Sequence, residues 1–430
     1  MTARGLRILF FPREPYPTDR VRIEVLFGRE LAARGHRVDL VAQAADARTP
    51  PGRRRWSGGE VALGSTDDGR GFLRRLRKRW RGFAHAVRSL SLVDPLDYDV
   101  LVVSDTFWFA VLAGAAARRK RVPFVYWLTF PYPELELHGA RTGTARYPWA
   151  AALLGHTGAW LLYRRILPQA DHVFVQSERM GRAVAAHGVD ERRISPVLTG
   201  FCAREIVAVG PRRAPAGDTP VIAYLGTLSA DRQLEVVIDA LALLHAGGLR
   251  ARLLLVGDAH RERDRLALER RALERGVSSH VAITGFLPQP EAVARAAEAD
   301  VCISPIPRTP IFEVGSPTKL VEYLALGLPV VANDHPEQRD ILRASRAGVC
   351  VPWGARHFAR ALAWLLARAP DERVAMGRRG REWIEANRSY ARLADDVERT
   401  LRRLAREHEE AVCRGSSTPG ALGGAETRDL

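Results

Sequence analysis

The chain has 430 residues, 47% of them hydrophobic and 27% charged, a globular composition that excludes collagen-like, mucin-like and wholly disordered proteins. At roughly 150 residues per domain the length predicts two or three domains, each able to bury its own core. Its 65 basic residues against 49 acidic ones leave a net charge of +16, which favours an anionic partner: nucleic acid, a phosphorylated small molecule or an acidic lipid surface.

The apolar stretch 8–11 is too short for the core of a signal peptide and reads as a first strand. After it, β-branched runs at 37–42, 100–104, 124–127 and 172–176 alternate with amphipathic segments, the rhythm of a parallel α/β sheet. Residues 43–71, rich in Gly, Pro, Ser and charge, predict a mobile loop holding at most a short strand at 60–63. From 72 to 90 the apolar residues Phe72, Leu73, Leu76, Trp80, Phe83, Val87 and Leu90 recur every three or four positions and predict one helical face. The other face carries Arg74, Arg75, Arg77, Lys78, Arg79, Arg81 and Arg88, and Trp80 is placed to anchor at an interface. A basic amphipathic helix of this kind predicts contact with an anionic membrane surface. The uncharged stretch 147–163 contains Pro148, Gly155 and Gly158 and falls short of the ~20 apolar residues of a membrane span, so it predicts a buried or interface-touching helix.

A Pro/Gly/Arg-rich linker over 206–218 separates the first unit, 1–205, from a second, 219–390, whose strands are predicted at 221–225, 252–256, 281–284, 300–304 and 329–332. Two such units predict two Rossmann-like domains facing across a cleft, with ligands at the carboxyl ends of the strands. A closing helix is predicted over 391–412 and a disordered tail over 413–430. Cys202, Cys302, Cys350 and Cys413 form no CxxC pair, so neither a disulfide framework nor a zinc ribbon is indicated and a reducing, cytosolic compartment fits. The histidines show no ligand spacing. Asp97 and Asp99 imitate a metal-binding DxD pair but open a strand, and no metal is expected.

The segment that carries most chemistry is GSPTKLVEYLALGLPVVA, residues 315–332. Ser316 suits a helix N-cap, Pro317 the first helical position and Gly327 the stop. The helix start at Gly315, Ser316 and Thr318 then presents free N–H groups and a positive dipole end to an anion such as a diphosphate. Lys319 and Glu322 lie three residues apart with the base nearer the N-terminus, the reverse of the stabilising order for a surface pair. Lysine is also scarce here: only Lys78, Lys120 and Lys319 occur among the basic residues. An anion in front of Lys319 explains both facts.

These residues resemble the signature SPxKLxEYxAxGxPVV of the retaining, family 4 type of GT-B nucleotide-sugar glycosyltransferases. Weaker agreement in the same order comes from residues 18–22 (TDRVR), 35–38 (GHRV), 99–103 (DVLVV), 170–177 (ADHVFVQS) and 224–228 (YLGTL) followed by Arg232. The resemblance implies two Rossmann-like α/β domains and a nucleoside-diphosphate sugar as donor, held by the second domain. It implies that Arg232 and Lys319 grip the diphosphate, that Glu322 accepts from ribose hydroxyls, and that Thr227, Phe286 and Leu287 neighbour the nucleotide. Asp19 and Arg20, in the first loop, would face the cleft. It also implies transfer with retention, without bound metal, to a glycan or a polyprenyl- or other lipid-linked acceptor. The setting would be cell-surface polysaccharide or glycolipid assembly, by a cytoplasmic protein peripheral to the inner face of the membrane.

Two positions depart from the pattern. The usual carboxylate partner of Glu322 falls at Val314; either Glu313 stands in through a bulge or that carboxylate is absent. Thr129 occupies the place of a histidine that many relatives carry near the transferred sugar. Both departures motivate a rival, a noncatalytic GT-B subunit that binds a nucleotide sugar or a partner enzyme. Nucleic acid is not expected, for no basic/aromatic reading motif accompanies the charge.

Overall fold

The computed structural model describes residues 4–18, 21–67, 71–202, 206, 219–259 and 261–416. The first sheet is built from β1 (Arg7–Phe11), β2 (Arg37–Gln43), β3 (Gly52–Trp56), β4 (Gly59–Gly64), β5 (Val100–Ser104), β6 (Phe124–Leu128), β7 (His172–Val175) and β8 (Ile194–Pro196). They lie in the order β3-β4-β2-β1-β5-β6-β7-β8. All pairs are parallel except β3 with β4. The second sheet comprises β9 (Val221–Leu225), β10 (Arg252–Val256), β11 (Val281–Ile283), β12 (Val301–Ser304), β13 (Val330–Asn333) and β14 (Gly348–Val351). Its order is β11-β10-β9-β12-β13-β14, and every pair is parallel.

Central strands such as β5 (VLVVS) and β6 (FVYWL) are buried along their whole length. That is why they are continuous apolar runs: helices cover both faces of a parallel sheet. In each sheet the strand order reverses once, between β1 and β5 and between β9 and β12. A crevice opens at such a point beyond the carboxyl ends of the strands.

Two expectations need correction. The segment 43–71 is not a loop, because β3 and β4 pair as an antiparallel hairpin at the sheet edge, with Arg53 opposite Ala62. Its signal is hidden since β3 presents Arg53, Arg54 and Arg55 to solvent, the charged surface an edge strand uses against further pairing. Only Trp56 turns in, donating its indole N–H to the Val38 carbonyl at 2.8 Å. Secondly, the last helix runs over Tyr390–Ser416 and so includes residues 413–416 of the expected tail. The helix packs on the first domain, not on the second that precedes it in the chain. Its residues Leu393, Val397, Leu401 and Leu404 are buried in the core of the first, with Ile8, Phe10 and Phe27. The chain therefore crosses between domains twice, and the crossings touch: Phe201 N–H donates to the Arg388 carbonyl, and Tyr390 N–H to that of Phe201. Residues 207–218 of the linker and 417–430 of the tail lie outside the described residues.

Candidate functional site

Three glycines with positive φ follow the strands of the second sheet: Gly226 (141°) after β9, Gly257 (139°) after β10 and Gly285 (75°) after β11. Gly257 must lack a side chain, because a Cβ there would lie 2.2 Å from the Gly226 carbonyl oxygen; the two loops stack backbone on backbone. At Gly226 the space belongs to Lys319. An ideal Cβ would stand 2.5 Å from its Cε and 2.9 Å from its Nζ.

Lys319 is delivered to that point by the helix Thr318–Ala325. Leu320, Val321, Tyr323 and Leu324 fix the helix in the second core, and the Tyr323 hydroxyl accepts from Leu225 N–H at 2.7 Å, locking helix to strand. The ammonium then rests 5.3 Å from the Tyr224 ring centroid, a cation–π contact. Arg232, in the turn Ala230–Arg232, lies over Phe312 at 4.7 Å. Among the described residues neither cation has a carboxylate within 4.0 Å. Burial, then the nearby charge of Arg232, lowers the pKa of Lys319, and Glu322 acts the other way. Burial raises that of Glu322, partly offset by Lys319. Two mutually repelling cations beside one half-buried acid form a site that an anion stabilises.

The remaining residues anticipated on this side divide. Thr227 is half-buried beside the cleft, its carbonyl held by the Tyr224 hydroxyl at 3.2 Å. Gly315 is half-buried and Thr318 exposed at the helix start. Ser316 is not the N-cap: Pro317 occupies that position with no side-chain cap. The Ser316 hydroxyl donates to Glu337 at 2.9 Å and accepts from Thr199 N–H at 3.2 Å, and Glu337 pairs with Arg388 at 2.8 Å. Ser316 is thus used where the domains meet. Phe286 projects off β11 with 81% of its surface exposed, whereas Leu287 packs into the core. Phe286 is the more exposed of the two, and Leu287 is half-buried. Glu313 does not stand in for the family's first carboxylate, because it pairs with Arg179 of the first domain at 2.6 Å. Val314 packs against the first domain's core, and its carbonyl accepts from the Ser177 hydroxyl at 2.6 Å.

Across the cleft, a polar cluster that the sequence reading missed forms at the ends of β1, β5 and β6. Asp105, with φ of 52°, is buried. One of its oxygens accepts from Thr129 N–H at 2.8 Å, and the other takes the Thr129 hydroxyl. That hydroxyl accepts in turn from Arg22 at 3.1 Å, and Arg22 pairs with Glu14. Thr129 is therefore not a lining residue of the cleft, as its place in the family pattern suggested, but a buried link between Asp105 and Arg22. Burial pushes the Asp105 carboxyl up to about 6, against the Thr129 hydroxyl and the Arg22 charge, which lower it. Nε of Arg22, Oε2 of Glu14 and the Thr106 hydroxyl are buried without partners among the described residues, and groups of that kind call for one. The signal available in the sequence was Asp105 itself, a non-glycine at the end of a fully apolar strand. Asp19 and Arg20 lie outside the described residues.

On the basic helix, Phe72–Arg88, Arg74 and Arg77 are exposed, Lys78 is half-buried and Trp80 is 66% exposed. The side chain of Arg75 is not among those described. Asp99 accepts from Arg7 N–H at 2.7 Å and pairs with Arg4 and Arg7 at the amino ends of the strands, away from the cleft. Among the described residues no group of three or more His, Cys, Asp or Glu is placed to hold a metal ion. No helix among them is long and apolar enough to cross a membrane.

Residues 25–201 match the family described as Glycosyltransferase Family 4, and residues 219–368 match Glycosyl transferases group 1. Each domain thus matches a glycosyltransferase family model. A sucrose-phosphate synthase from Thermosynechococcus elongatus superposes over 93% of this chain and 99% of its own, with a TM-score of 0.69 and 19% identity. The fold is GT-B. Among sequence relatives, the protein assigned to colanic acid biosynthesis as glycosyltransferase WcaL in Escherichia coli (strain K12) is 30% identical over 52% of this chain. The match spans 53% of that relative's length. A GDP-mannose-dependent alpha-(1-6)-phosphatidylinositol monomannoside mannosyltransferase of Mycobacterium tuberculosis (strain H37Rv) is 28% identical over 62% of this chain and 68% of its own. In this GT-B chain the Lys319 cluster sits on the second domain and the Asp105 cluster on the first, each at the switch point of its sheet.

Proposed function

We propose that the protein transfers a sugar from a nucleoside-diphosphate sugar to a glycan or lipid-linked acceptor, with retention, in the assembly of a cell-surface polysaccharide or glycolipid. The observation that carries this reading is the pair of cations, Lys319 and Arg232, set around the β9 switch point without carboxylate partners among the described residues. As the glycosidic bond breaks, charge accumulates on the leaving diphosphate. Fixed cations and the uncapped amides of the helix Thr318–Ala325 stabilise it most at that moment. Glu322, an acceptor-only carboxylate on the same helix, binds ribose hydroxyls. For retention, an oxygen of the leaving phosphate takes the acceptor's proton on the face from which it departs, so no protein base is required and a histidine at position 129 is dispensable. The reaction needs no bound metal. Relatives named for colanic acid and for phosphatidylinositol mannosides support the polysaccharide or glycolipid setting. Cytoplasmic residence on the inner membrane face completes the reading, supported by the exposed basic helix.

The test incubates UDP-, GDP-, ADP- and dTDP-sugars with the full chain and an acceptor extract, following nucleotide release and the anomeric configuration of the product by NMR. Release from one donor with an unchanged anomeric configuration is expected, and its loss in Lys319→Ala. Inversion would remove the retaining mechanism. Val314 at the missing carboxylate favours a second reading, a noncatalytic subunit, and donor binding with no turnover under any acceptor would select it.

A further inference from the structure

The helix Pro148–Leu161 is turned inside out for a helix in water. Its inward row is small: Ala151, Gly155 and Gly158 are buried, and the helix packs on Tyr132–Thr142. A Cβ at Gly155 would lie 2.6 Å from Leu137 Cγ and 2.9 Å from the Pro133 carbonyl oxygen, so close packing fixes which side turns in. The opposite row, at i, i+4 and i+11, is large and apolar. Trp149 (74%), Leu153 (58%) and Trp160 (54%) stand in solvent there, with His156 the one polar side chain in the row. An ordinary surface helix has the reverse distribution. The stripe is not isolated. Trp108 of the helix Phe107–Lys120 and Leu76 and Trp80 of the helix Phe72–Arg88 are also exposed, and with Leu154 they border one open space, which sets them on the same side of the domain. An apolar surface of this extent marks an interaction site.

Charge selects the partner. No Asp or Glu occurs between 137 and 170, nor within the helices Phe72–Arg88 and Phe107–Lys120, whereas Arg77, Arg79, Arg146, Arg164 and Arg165 are exposed. Of the two acids bordering the open space Asp105 is buried on Thr129, which leaves Glu136 against these arginines. A second copy of the chain would set this basic surface against itself, which disfavours a symmetric dimer. Both ends of the helix pair a ring with an arginine: Arg146 lies 5.5 Å from the Tyr147 centroid and Arg165 5.4 Å from that of Trp160. Such pairs suit a lipid headgroup layer, where the ring sits at the apolar boundary and the guanidinium meets phosphate. With 14 residues the helix is too short to cross a bilayer, and its inward row is already packed, so any contact is made lying flat. We propose that the helix Pro148–Leu161 lies in the headgroup layer of an anionic bilayer, with Trp149, Leu153 and Trp160 inserted toward the acyl chains and the arginines at its ends on lipid phosphates. The basic helix Phe72–Arg88 adheres by charge, and this uncharged helix on the same side of the domain penetrates. Such a role rests on the inner-face setting of the transferase reading but needs neither donor nor acceptor.

The experiment is cosedimentation of the full chain with vesicles of phosphatidylcholine and phosphatidylglycerol, and with pure phosphatidylcholine, followed by tryptophan fluorescence on mixed vesicles whose acyl chains are brominated. Binding to the mixed vesicles is expected, severalfold weaker on pure phosphatidylcholine. It should weaken at least tenfold in Leu153→Glu and stay unchanged in Leu273→Glu, the same substitution at an exposed leucine of the second domain. Bromine should quench the bound wild type. The double variant Trp149→Phe, Trp160→Phe changes only exposed rings, and it should be quenched about twofold less, since Trp80 and Trp108 keep their share. No binding, equal binding to pure phosphatidylcholine, binding that Leu153→Glu leaves unchanged, or quenching that the double variant leaves unchanged overturns the proposal. So does a dimer in lipid-free sedimentation velocity that Leu153→Glu dissolves, which gives the face to a second copy. Insertion by a protein that binds no nucleotide sugar upholds the membrane contact and sinks the transferase reading; sugar transfer by a protein that does not insert sinks only the contact.

Discussion

At the scale of single residues the donor site rests on a steric trade between Gly226 and Lys319. Any side chain at Gly226 would meet the lysine head and would adopt a φ of 141°, a strain of about 1–3 kcal/mol. Gly226→Ala is therefore expected to keep its circular dichroism while donor affinity falls at least tenfold; unchanged affinity would show that the lysine head is not placed by this loop. Lys319→Ala should cost about 10²–10³ in turnover, the scale for removing one electrostatic contact to a charged transition state. Asp105 gives a pH prediction. Burial raises its pKa from 3.8 to about 6, so its contribution to stability is full below about pH 4 and is lost as pH rises through 6, up to about 3 kcal/mol. Melting temperature should rise between pH 7.5 and 5 in the wild type, and Asp105→Asn should flatten that rise. Lys319 and Glu322 were legible because their spacing and order are wrong for a surface ion pair. Gly226, Tyr224 and Tyr323 were not, since an ordinary strand-end tyrosine or glycine acquires its role only when a segment about a hundred residues away packs on it.

At the scale of elements, strands buried on both faces announce themselves as apolar runs, and β1, β2, β5, β6, β7, β9, β10, β12 and β13 were readable on that ground; β11, a half-exposed edge strand, was readable from its β-branched residues. The edge strand β3 was not, because an exposed edge favours the charge that a loop also carries. β8 and β14 were not, because each closes an edge of its sheet and is half-buried throughout, so neither forms a fully apolar run. The basic helix Phe72–Arg88 showed its periodicity, but not that its apolar stripe is divided. Phe83 and Val87 pack on the first domain's core while Leu76 and Trp80 remain outside. That outward half should bind vesicles containing acidic lipid, at ~1 kcal/mol per basic residue near the surface. Cosedimentation should weaken severalfold in Trp80→Ala and fall with salt. Equal binding to neutral vesicles would contradict an electrostatic anchor.

At the scale of the whole molecule, the helix Tyr390–Ser416 makes the two domains one covalent loop, leaving the first domain near Phe201 and returning beside it at Ser389. The two crossings lie side by side, joined by the hydrogen bonds between Phe201 and residues 388–390. The returning helix is part of the first core, so Leu401→Ala should destabilise by about 2–5 kcal/mol, read as a lower denaturation midpoint. Truncation before Tyr390 should abolish folding of the first domain. A sequence order that places this helix after the second domain hides its partner, for its periodicity specifies an apolar face and not what covers it. The central claim is a diphosphate site between Lys319 and Arg232. The measurement that tests it most directly is calorimetric titration of UDP, GDP, ADP and dTDP into the full chain and into Lys319→Ala. Saturable binding of one nucleotide, weakened at least tenfold in the variant, is the predicted result; equal affinity in both proteins, or binding of none, would contradict it.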